Sequence, residues 1–351
     1  MRIGIACSIK PAAPPPPPLP DDWYEEWDSR ETVEAIAATL QQLGHQVTIL
    51  GDGPPLVQAL LHDPPELVFN LAEGTGVSRS REARVPAVCE LLGIPYTGSD
   101  PLALAVALDK SLTRTVMAAA GLHVPAGVTL PLPAQLPYNG DYAEFAAVLT
   151  EAGLSLPVVV KPVCEGSSKG ITRQALVEHP EALGPAIVRV WQQYRQAALV
   201  EEYIAGEEVT AGIVGNDPPQ LVGLMRIVPR HHPQRFLYSL EVKRNWHDQV
   251  DYEAPAQLPA AVYRAVEIDA LTAFAALGCR DLARVDFRIR AGVPYFLEIN
   301  PLPGLSPTSG DLCYLAYRVG LTYPQLLGMI LEAACQRYGL DPSRACSQGN
   351  G

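Results

Sequence analysis

Chemistry is densest in this 351-residue chain at Arg284-Val285-Asp286-Phe287-Arg288-Ile289, a short Ala-Gly-Val-Pro connection, and Tyr295-Phe296-Leu297-Glu298-Ile299-Asn300. Two alternating runs joined by a Gly-containing loop read as a β-hairpin. Side chains alternate across a strand, so Val285, Phe287 and Ile289 are expected on one face and Arg284, Asp286 and Arg288 on the other. On the return strand Glu298 and Asn300 share a face opposite Leu297 and Ile299. If the polar faces coincide, two carboxylates and an amide carbonyl converge, a hard oxygen set that suits magnesium rather than zinc. The competing reading is a solvated face with cross-strand ion pairs. The apolar opposite face, Asn300 in place of a further charge and the Pro301-Leu302-Pro303-Gly304 turn favour the metal.

A second segment, Val158-Val159-Val160-Lys161-Pro162-Val163-Cys164-Glu165-Gly166-Ser167-Ser168-Lys169-Gly170, runs from a strand ending in a cation into a loop with glycines, hydroxyls and another cation. Such a loop can wrap amides and charges around phosphates, although an ordinary hairpin turn has a similar composition. It is not a GxxxxGK[ST] loop, and Gly74-Thr75-Gly76 lacks the third glycine of a dinucleotide fingerprint, with Arg79 in its place. A third segment, Leu199-Val200-Glu201-Glu202-Tyr203-Ile204-Ala205-Gly206-Glu207-Glu208, reads as strand, kink, strand. A purine can bond to backbone at the kink, with Glu208 accepting from ribose hydroxyls.

These segments need a scaffold, and the scaffold is legible as alternating elements. Strand-like runs at Ile3–Cys7, Val47–Leu50 and Leu67–Asn70 alternate with helical patterns, which predicts a parallel α/β unit. The first helix carries the stripe Val33, Ile36, Ala37, Leu40, Leu43, with Asp28 and Glu31 as a capping box and Gly44 closing it. Before it, Pro14 to Pro18 and the acidic, aromatic stretch Asp21–Asp28 form either a stiff solvated loop or an arm delivering Trp23, Tyr24, Glu25, Glu26 and Trp27 to a substrate. One long helical stretch is expected through Lys110 to Gly121, a surface connection over Pro125–Pro137, strands near Ala198–Glu202, Val209–Val214 and Leu221–Val228, and a final helix over Tyr323–Tyr338. His231 and His232, if on a strand, point to opposite faces, and Cys164 lacks a neighbouring base.

Composition bounds the rest. Cores usually stop growing below roughly 250–300 residues, so two or three packed units are expected. With Lys+Arg 26 against Asp+Glu 38, the net charge of −12 disfavours nucleic acid or an anionic membrane as main partner. No apolar run approaches the roughly 18 residues of a membrane span. Seven scattered cysteines without a CxxC pair suit a reducing cytoplasm and no structural zinc.

Taken together, FNLAEG (69–74), GIPYTGSD (93–100), Asp109-Lys110, the Lys161–Gly170 loop, LVEEYIAGEE, ARVDF and EINPLPG resemble the ATP-grasp superfamily, in its D-alanine–D-alanine ligase-like branch, over about residues 1 to 335. The resemblance implies an α/β fold of three subdomains, with an α+β lid: an N-terminal Rossmann-like parallel sheet (1–105), a central lid (106–205), a C-terminal unit with the metal site (206–340) and a tail (341–351). It implies ATP bound by Lys110, Lys161, Glu165, Ser167 and Ser168, with Glu201, Glu202 and Ile204 toward adenine and Glu208 on ribose. Asp286, Glu298 and Asn300 match magnesium ligands, Mg2+ in two ions with Mn2+ able to substitute. Arg284 and the Gly304 amide match an oxyanion site, Lys243 a contact to the γ-phosphate, and Ser306 or Ser309 a second-substrate site. The resemblance also implies a homodimer acting on a small-molecule carboxylate and amine.

Departures fall where substrates bind. Glu25 or Glu26 is a rough counterpart of a glutamate near the first helix, and Asp311 is an unexpected charge after the metal Asn. The expectation is therefore an ATP-dependent ligase joining an amino acid to an amino-acid-like or natural-product acceptor through an acyl phosphate. The alternatives are a D-alanine–D-alanine ligase, a mycosporine-glycine amino-acid ligase, and a nucleotide-binding sensor without turnover.

Overall fold

Three sheets divide the chain in the computed structural model, which describes residues 1–342 except 139, 141, 143 and 232–234. The expected tail lies mostly outside the described residues. The first sheet is parallel, in the order β2 (Gln46–Gly51), β1 (Arg2–Cys7), β3 (Leu67–Leu71). Ile3 and Ile5 are sealed on one face by Val33, Ile36 and Leu40 of the helix Arg30–Gln42 and by Leu326, Leu327 and Ile330 of the helix Tyr323–Tyr338. Each such side chain contributes about 1.5–3 kcal/mol on burial. The last helix therefore returns to cover the first sheet, which ties the two ends of the described chain together.

The first helix departs from expectation at both ends. Its cap is Ser29, whose Oγ accepts from the Thr32 amide at 3.1 Å, because Asp28 is committed to an extended bridge with Ile9. Leu43 closes the helix as an exposed C-cap instead of continuing the buried stripe, and Gly44 follows with φ of 92°.

The second sheet is antiparallel, in the order β4 (Gly127–Leu130), β7 (Ala198–Glu202), β5 (Val158–Pro162), β6 (Leu176–Val177). The segment expected as a surface connection thus contains an edge strand, a place where flanking prolines are tolerated. The expected long helix is two, Pro101–Leu108 and Lys110–Ala119. Asp109 sits extended between them and caps the second by accepting from the Leu112 amide at 3.0 Å.

The third sheet is antiparallel, in the order β10 (Val250–Glu253), β9 (Gln220–Pro229), β8 (Glu207–Val214), β11 (Leu282–Arg290), β12 (Val293–Asn300). Val285, Phe287 and Ile289 pack on Val266, Ala270 and Phe274 of the helix Ala260–Leu277. The opposite polar face is left for chemistry, as alternation predicts. The register pairs Arg284 with Asn300 and Asp286 with Glu298, then slips, so that Phe287 faces Phe296. Leu297 is the extra residue of this bulge and turns toward the polar face, contrary to strict alternation. His231 lies in a bend beyond β9 and not on a strand, and His232 is outside the described residues. None of the described helices is long and apolar enough to cross a membrane.

Candidate active site

The kink between β7 and β8 carries the chain from the second sheet to the third, so the two sheets face each other across a slot. Gly206 makes the crossing possible: its φ is +150°, and a Cβ there would lie 1.9 Å from the Ile289 carbonyl oxygen. The slot, about 720 Å³, is lined by apolar Val159, Ile171, Ile204, Leu237 and Leu297 and by polar Lys161, Ser168, Glu201, Glu202, Glu208 and Lys243. Its inner end holds Arg284, Asp286, Glu298 and Asp311. This is a flat apolar cleft with cations and carboxylates at one end, the form a purine nucleotide requires.

Within it Lys161 pairs with Glu201 at 2.5 Å, both buried, and Glu202 pairs with Arg290 at the rim. Glu208 stands 3.7 Å from Arg288, and burial outweighs that cation and holds its carboxyl up at about 7. Lys243 lies over the Tyr238 ring at 5.1 Å. The loop after β5 is strained: Ser167 and Ser168 have φ of 47° and 59°, a conformation that costs a non-glycine residue about 1–3 kcal/mol. Cys164 in this loop is buried, and desolvation raises its thiol to about 12, so it remains a small packing residue.

A second cleft of about 620 Å³ adjoins the first through Arg284 and Glu298 and adds Lys110, Glu165, Ser167, Asn300 and Gly304, with Glu26, Glu73 and Glu82 opposite. A third, about 1250 Å³, opens outward past Glu25, Glu26, Trp27, Lys243, Trp246, Tyr252, Ser306, Ser309 and Asp311. Every residue matched to a family role in nucleotide, metal or substrate binding lines one of these three clefts, which all share Arg284, whereas Trp23 and Tyr24 of the arm line none of them.

The proposed magnesium ligands are adjacent by register. Asp286 accepts from Thr210 Oγ1 at 2.8 Å and from Asn300 Nδ2 at 3.3 Å, and Arg284 spans it at 2.8 Å. Glu298 lies 3.4 Å from Lys110, and although burial pushes its carboxyl up, Lys110, Lys243 and Arg284 hold it well below the usual range. The donor set of two carboxylates and one amide, free of sulfur and imidazole, fits a hard cation that keeps positions for water and phosphate oxygen. Asp311 is a direct partner of Arg284, at 3.1 Å.

The arm divides into two behaviours. Pro14 and Pro16 to Pro18 are exposed, as a solvated loop would be. Glu26, in contrast, is clamped by Arg81 at 2.7 Å, Lys169 at 3.1 Å and the Gly166 amide. Burial would raise its carboxyl, but Arg81, Lys169 and that amide outweigh it and hold it at about 2. Glu25 pairs with Lys10 and Arg244. Both carboxylates are thus already engaged by protein. Sequence reasoning missed Arg81, Glu73 and Glu82. The 69–74 motif flagged their neighbourhood, but their convergence depends on how the first sheet meets the loop after β5.

The profile described as D-ala D-ala ligase C-terminus matches residues 116–332, more than half of the chain. The chain belongs to the D-alanine–D-alanine ligase family. It is 34% identical over 315 residues to the D-alanine–D-alanine ligase of Moorella thermoacetica, covering 88% of this chain and 94% of that one. It is 32% identical over 357 residues to the uncharacterized protein y4sG of Sinorhizobium fredii, covering 96% and 98%. The fold matches the crystal structure of the Bacillus anthracis D-alanine–D-alanine ligase complexed with ATP, with a TM-score of 0.70, 22% identity and coverage of 97% and 99%. It also matches the VanG D-Ala:D-Ser ligase of Enterococcus faecalis, with a TM-score of 0.67, 22% identity and coverage of 95% and 99%. As a family member the protein has the ATP-grasp fold and is an ATP-dependent carbon–nitrogen ligase that releases ADP and phosphate.

Proposed function

We propose that the protein joins two small amino acids, with D-alanine the first candidate for both, through an acyl phosphate made in the cytoplasm at the expense of ATP. The observation that carries this reading is the meeting of Lys110, Arg284, Asp286, Glu298 and Asn300 at the point where the nucleotide slot opens into the second cleft. The names of the relatives support D-alanine in particular. Six described cysteines, all buried and free, are in keeping with a reducing compartment. Residues 1–105, 106–205 and 206–340 would act as base, lid and catalytic unit.

The chemistry follows from the charges. A carboxylate oxygen attacks the γ-phosphorus and ADP leaves, so negative charge spreads over the transferring group. Lys110, Lys161 and Lys243, which line the first two clefts, would neutralise it. Asp286, Glu298 and Asn300 would hold Mg2+, in one or two ions, which supplies further charge neutralisation when bound. The acceptor amine then attacks the acyl carbon and phosphate departs, while Arg284 and the Gly304 amide stabilise the oxyanion. The loop after β5 excludes water that would hydrolyse the intermediate.

A second reading, an amino-acid-like acceptor larger than alanine, is favoured by the third cleft, about 1250 Å³ and walled by Trp27, Trp246 and Tyr252, and by Asp311 beside Arg284. Phosphate release from ATP with D-alanine alone separates the two: turnover supports the first, and turnover only with an added amine supports the second. Glu298→Ala is expected to remove phosphate release by at least about 10³-fold while leaving the thermal transition in place. Unchanged turnover in that variant would refute the proposed metal site.

A further inference from the structure

The acceptor amine must lose a proton before it can attack. At neutral pH an aliphatic amine is an ammonium, which has no lone pair to offer an acyl carbon. A base that takes this proton has to stand in a cleft that also reaches the oxyanion site. The third cleft does so, because Arg284 and Gly304 form part of its wall.

Five carboxylates line that cleft, those of Glu25, Glu26, Asp28, Glu31 and Asp311. Glu25 is paired with Lys10 and Arg244, Glu26 with Arg81 and Lys169, and Asp311 with Arg284. A cation beside a carboxylate lowers its basicity, so these three hold a proton poorly. Glu31 is exposed on the first turn of the helix Arg30–Gln42, and hydrogen bonds from its own amide and from Ser29 lower it as well.

Asp28 differs from all four. It is half-buried, and its carboxylate has no hydrogen-bond or ion-pair partner among the described residues. Its backbone is pinned beside the residues that follow β1: the Asp28 amide donates to the Ser8 carbonyl at 3.0 Å, and its carbonyl accepts from the Lys10 amide at 2.8 Å. The side chain is thus carried at a fixed place in the cleft wall. The titratable groups that its charge reaches are Cys7 on β1, Glu73 after β3, Cys313 on the helix Asp311–Arg318 and Tyr323 on the last helix. None of these is a cation, while Lys10 is engaged by Glu25 and Arg30 is exposed. Burial therefore acts unopposed and raises the Asp28 carboxyl to about 7, close to the pH at which a general base serves best.

We propose that Asp28 is the general base of the joining step, taking a proton from the acceptor ammonium so that the free amine attacks the acyl phosphate. The proton moves from nitrogen to the Asp28 carboxylate. The nitrogen lone pair then forms the bond to the acyl carbon, and the carbon–oxygen bond to phosphate breaks. A second proton leaves the nitrogen with the departing phosphate, and Asp28 returns its own to water. The inference rests on the ligase reading for the acyl phosphate.

The test compares two nucleophiles on the same donor. Hydroxylamine is neutral at neutral pH and attacks without first losing a proton, whereas an amino-acid acceptor cannot. Donors and acceptors are D-alanine and the common L-amino acids, with products read as hydroxamate, as dipeptide mass and as phosphate. Asp28→Asn is expected to lower kcat/KM for the amino-acid acceptor about 10²–10⁴-fold, the range of general-base catalysis, while hydroxamate formation changes far less. Asp28→Glu, which keeps a carboxylate, should recover part of the loss. The wild-type rate of amide formation should rise as pH passes about 7, where Asp28 ionises, and Asp28→Asn should lose that inflection. An inflection owed to Glu82 or Glu208, which burial also raises to about 7, would persist in the variant and appear with hydroxylamine, against the assignment. Should Asp28→Asn fail to fold, by its thermal transition, Asp28→Ser carries the same comparison. Equal loss of amide and hydroxamate overturns the assignment, because a residue that holds the donor or the fold lowers both. Loss of neither overturns it too, and gives the proton to the departing phosphate. Hydroxamate without amide from any wild-type pairing is equally adverse, since a cleft with its own base accepts an ammonium. Absence of both products in wild type with every donor sinks the ligase reading, and the base with it.

Discussion

Arg81 joins the first sheet to the loop after β5 with a guanidinium that is almost wholly buried, and it does so by satisfying Glu26, Glu165 and the Cys164 carbonyl together. Assembling such a cluster gains little over apolar packing, because desolvation offsets the attraction. Removing one member is different, since it strands the others as uncompensated charges, at a cost of about 3–5 kcal/mol. Arg81→Ala is therefore expected to lower the thermal midpoint by about 10 °C at neutral pH, measured by calorimetry. A shift of a degree or two would show that water or a rearranged Lys169 replaces the guanidinium. The same cluster sets an acid limit. The Glu26 carboxyl is held at about 2, below its ordinary 4.5, so its stabilising contribution is complete above pH 4.5 and is lost as pH falls from 4.5 toward 2. Arg81→Ala should flatten that part of the stability curve.

At the scale of the element, the Ser29 hydroxyl satisfies an orphan amide at the start of the helix that seals the first sheet. Ser29→Ala is expected to cost about 1 kcal/mol in urea unfolding with an unchanged m-value, whereas Asp28→Asn should leave the cap in place. Loss of the cap on changing Asp28 would restore the cap expected from sequence. How far such features are legible from sequence depends on their range. The β11–β12 hairpin announces itself because period-two alternation is local and one face is apolar, and with it come Asp286, Glu298 and Asn300. Leu297 does not, since a bulge inserts a residue without leaving a mark in the pattern. Strand β4 hides because prolines on both sides read as a connection, although an edge strand tolerates them. Glu73, Arg81 and Glu82 hide for a third reason: they converge with Glu26 and Glu165 only once two units have docked, and no periodicity encodes that contact.

Across the whole molecule, the segment after the proline run bonds both to the loop after β5 and to the short helix Leu240–Arg244. Asp22 accepts from the Gly170 amide at 2.9 Å and from the Tyr194 hydroxyl at 2.7 Å, which fixes the far end of the loop after β5. Asp21 and Glu25 reach Arg244, on the short helix that also carries Lys243. The arm thus holds the two segments that would close over the phosphates, one by buried hydrogen bonds and the other by exposed ion pairs. Their strengths differ: exposed pairs are worth about 0–1 kcal/mol and are screened by salt, whereas hydrogen bonds to a buried carboxylate are worth about 1.5–3 kcal/mol. On the proposed mechanism a loosened loop admits water, which would compete with the amine for the acyl phosphate. Asp22→Ala is therefore expected to raise phosphate release relative to amide formed by several-fold, from about one for one in the wild type. Arg244→Ala should do so weakly, and only at low ionic strength. The check is the ratio of phosphate to ligated product at two salt concentrations. If Asp22→Ala lowers stability but keeps the ratio at one, the arm is a structural strut and the loop stays closed by other means.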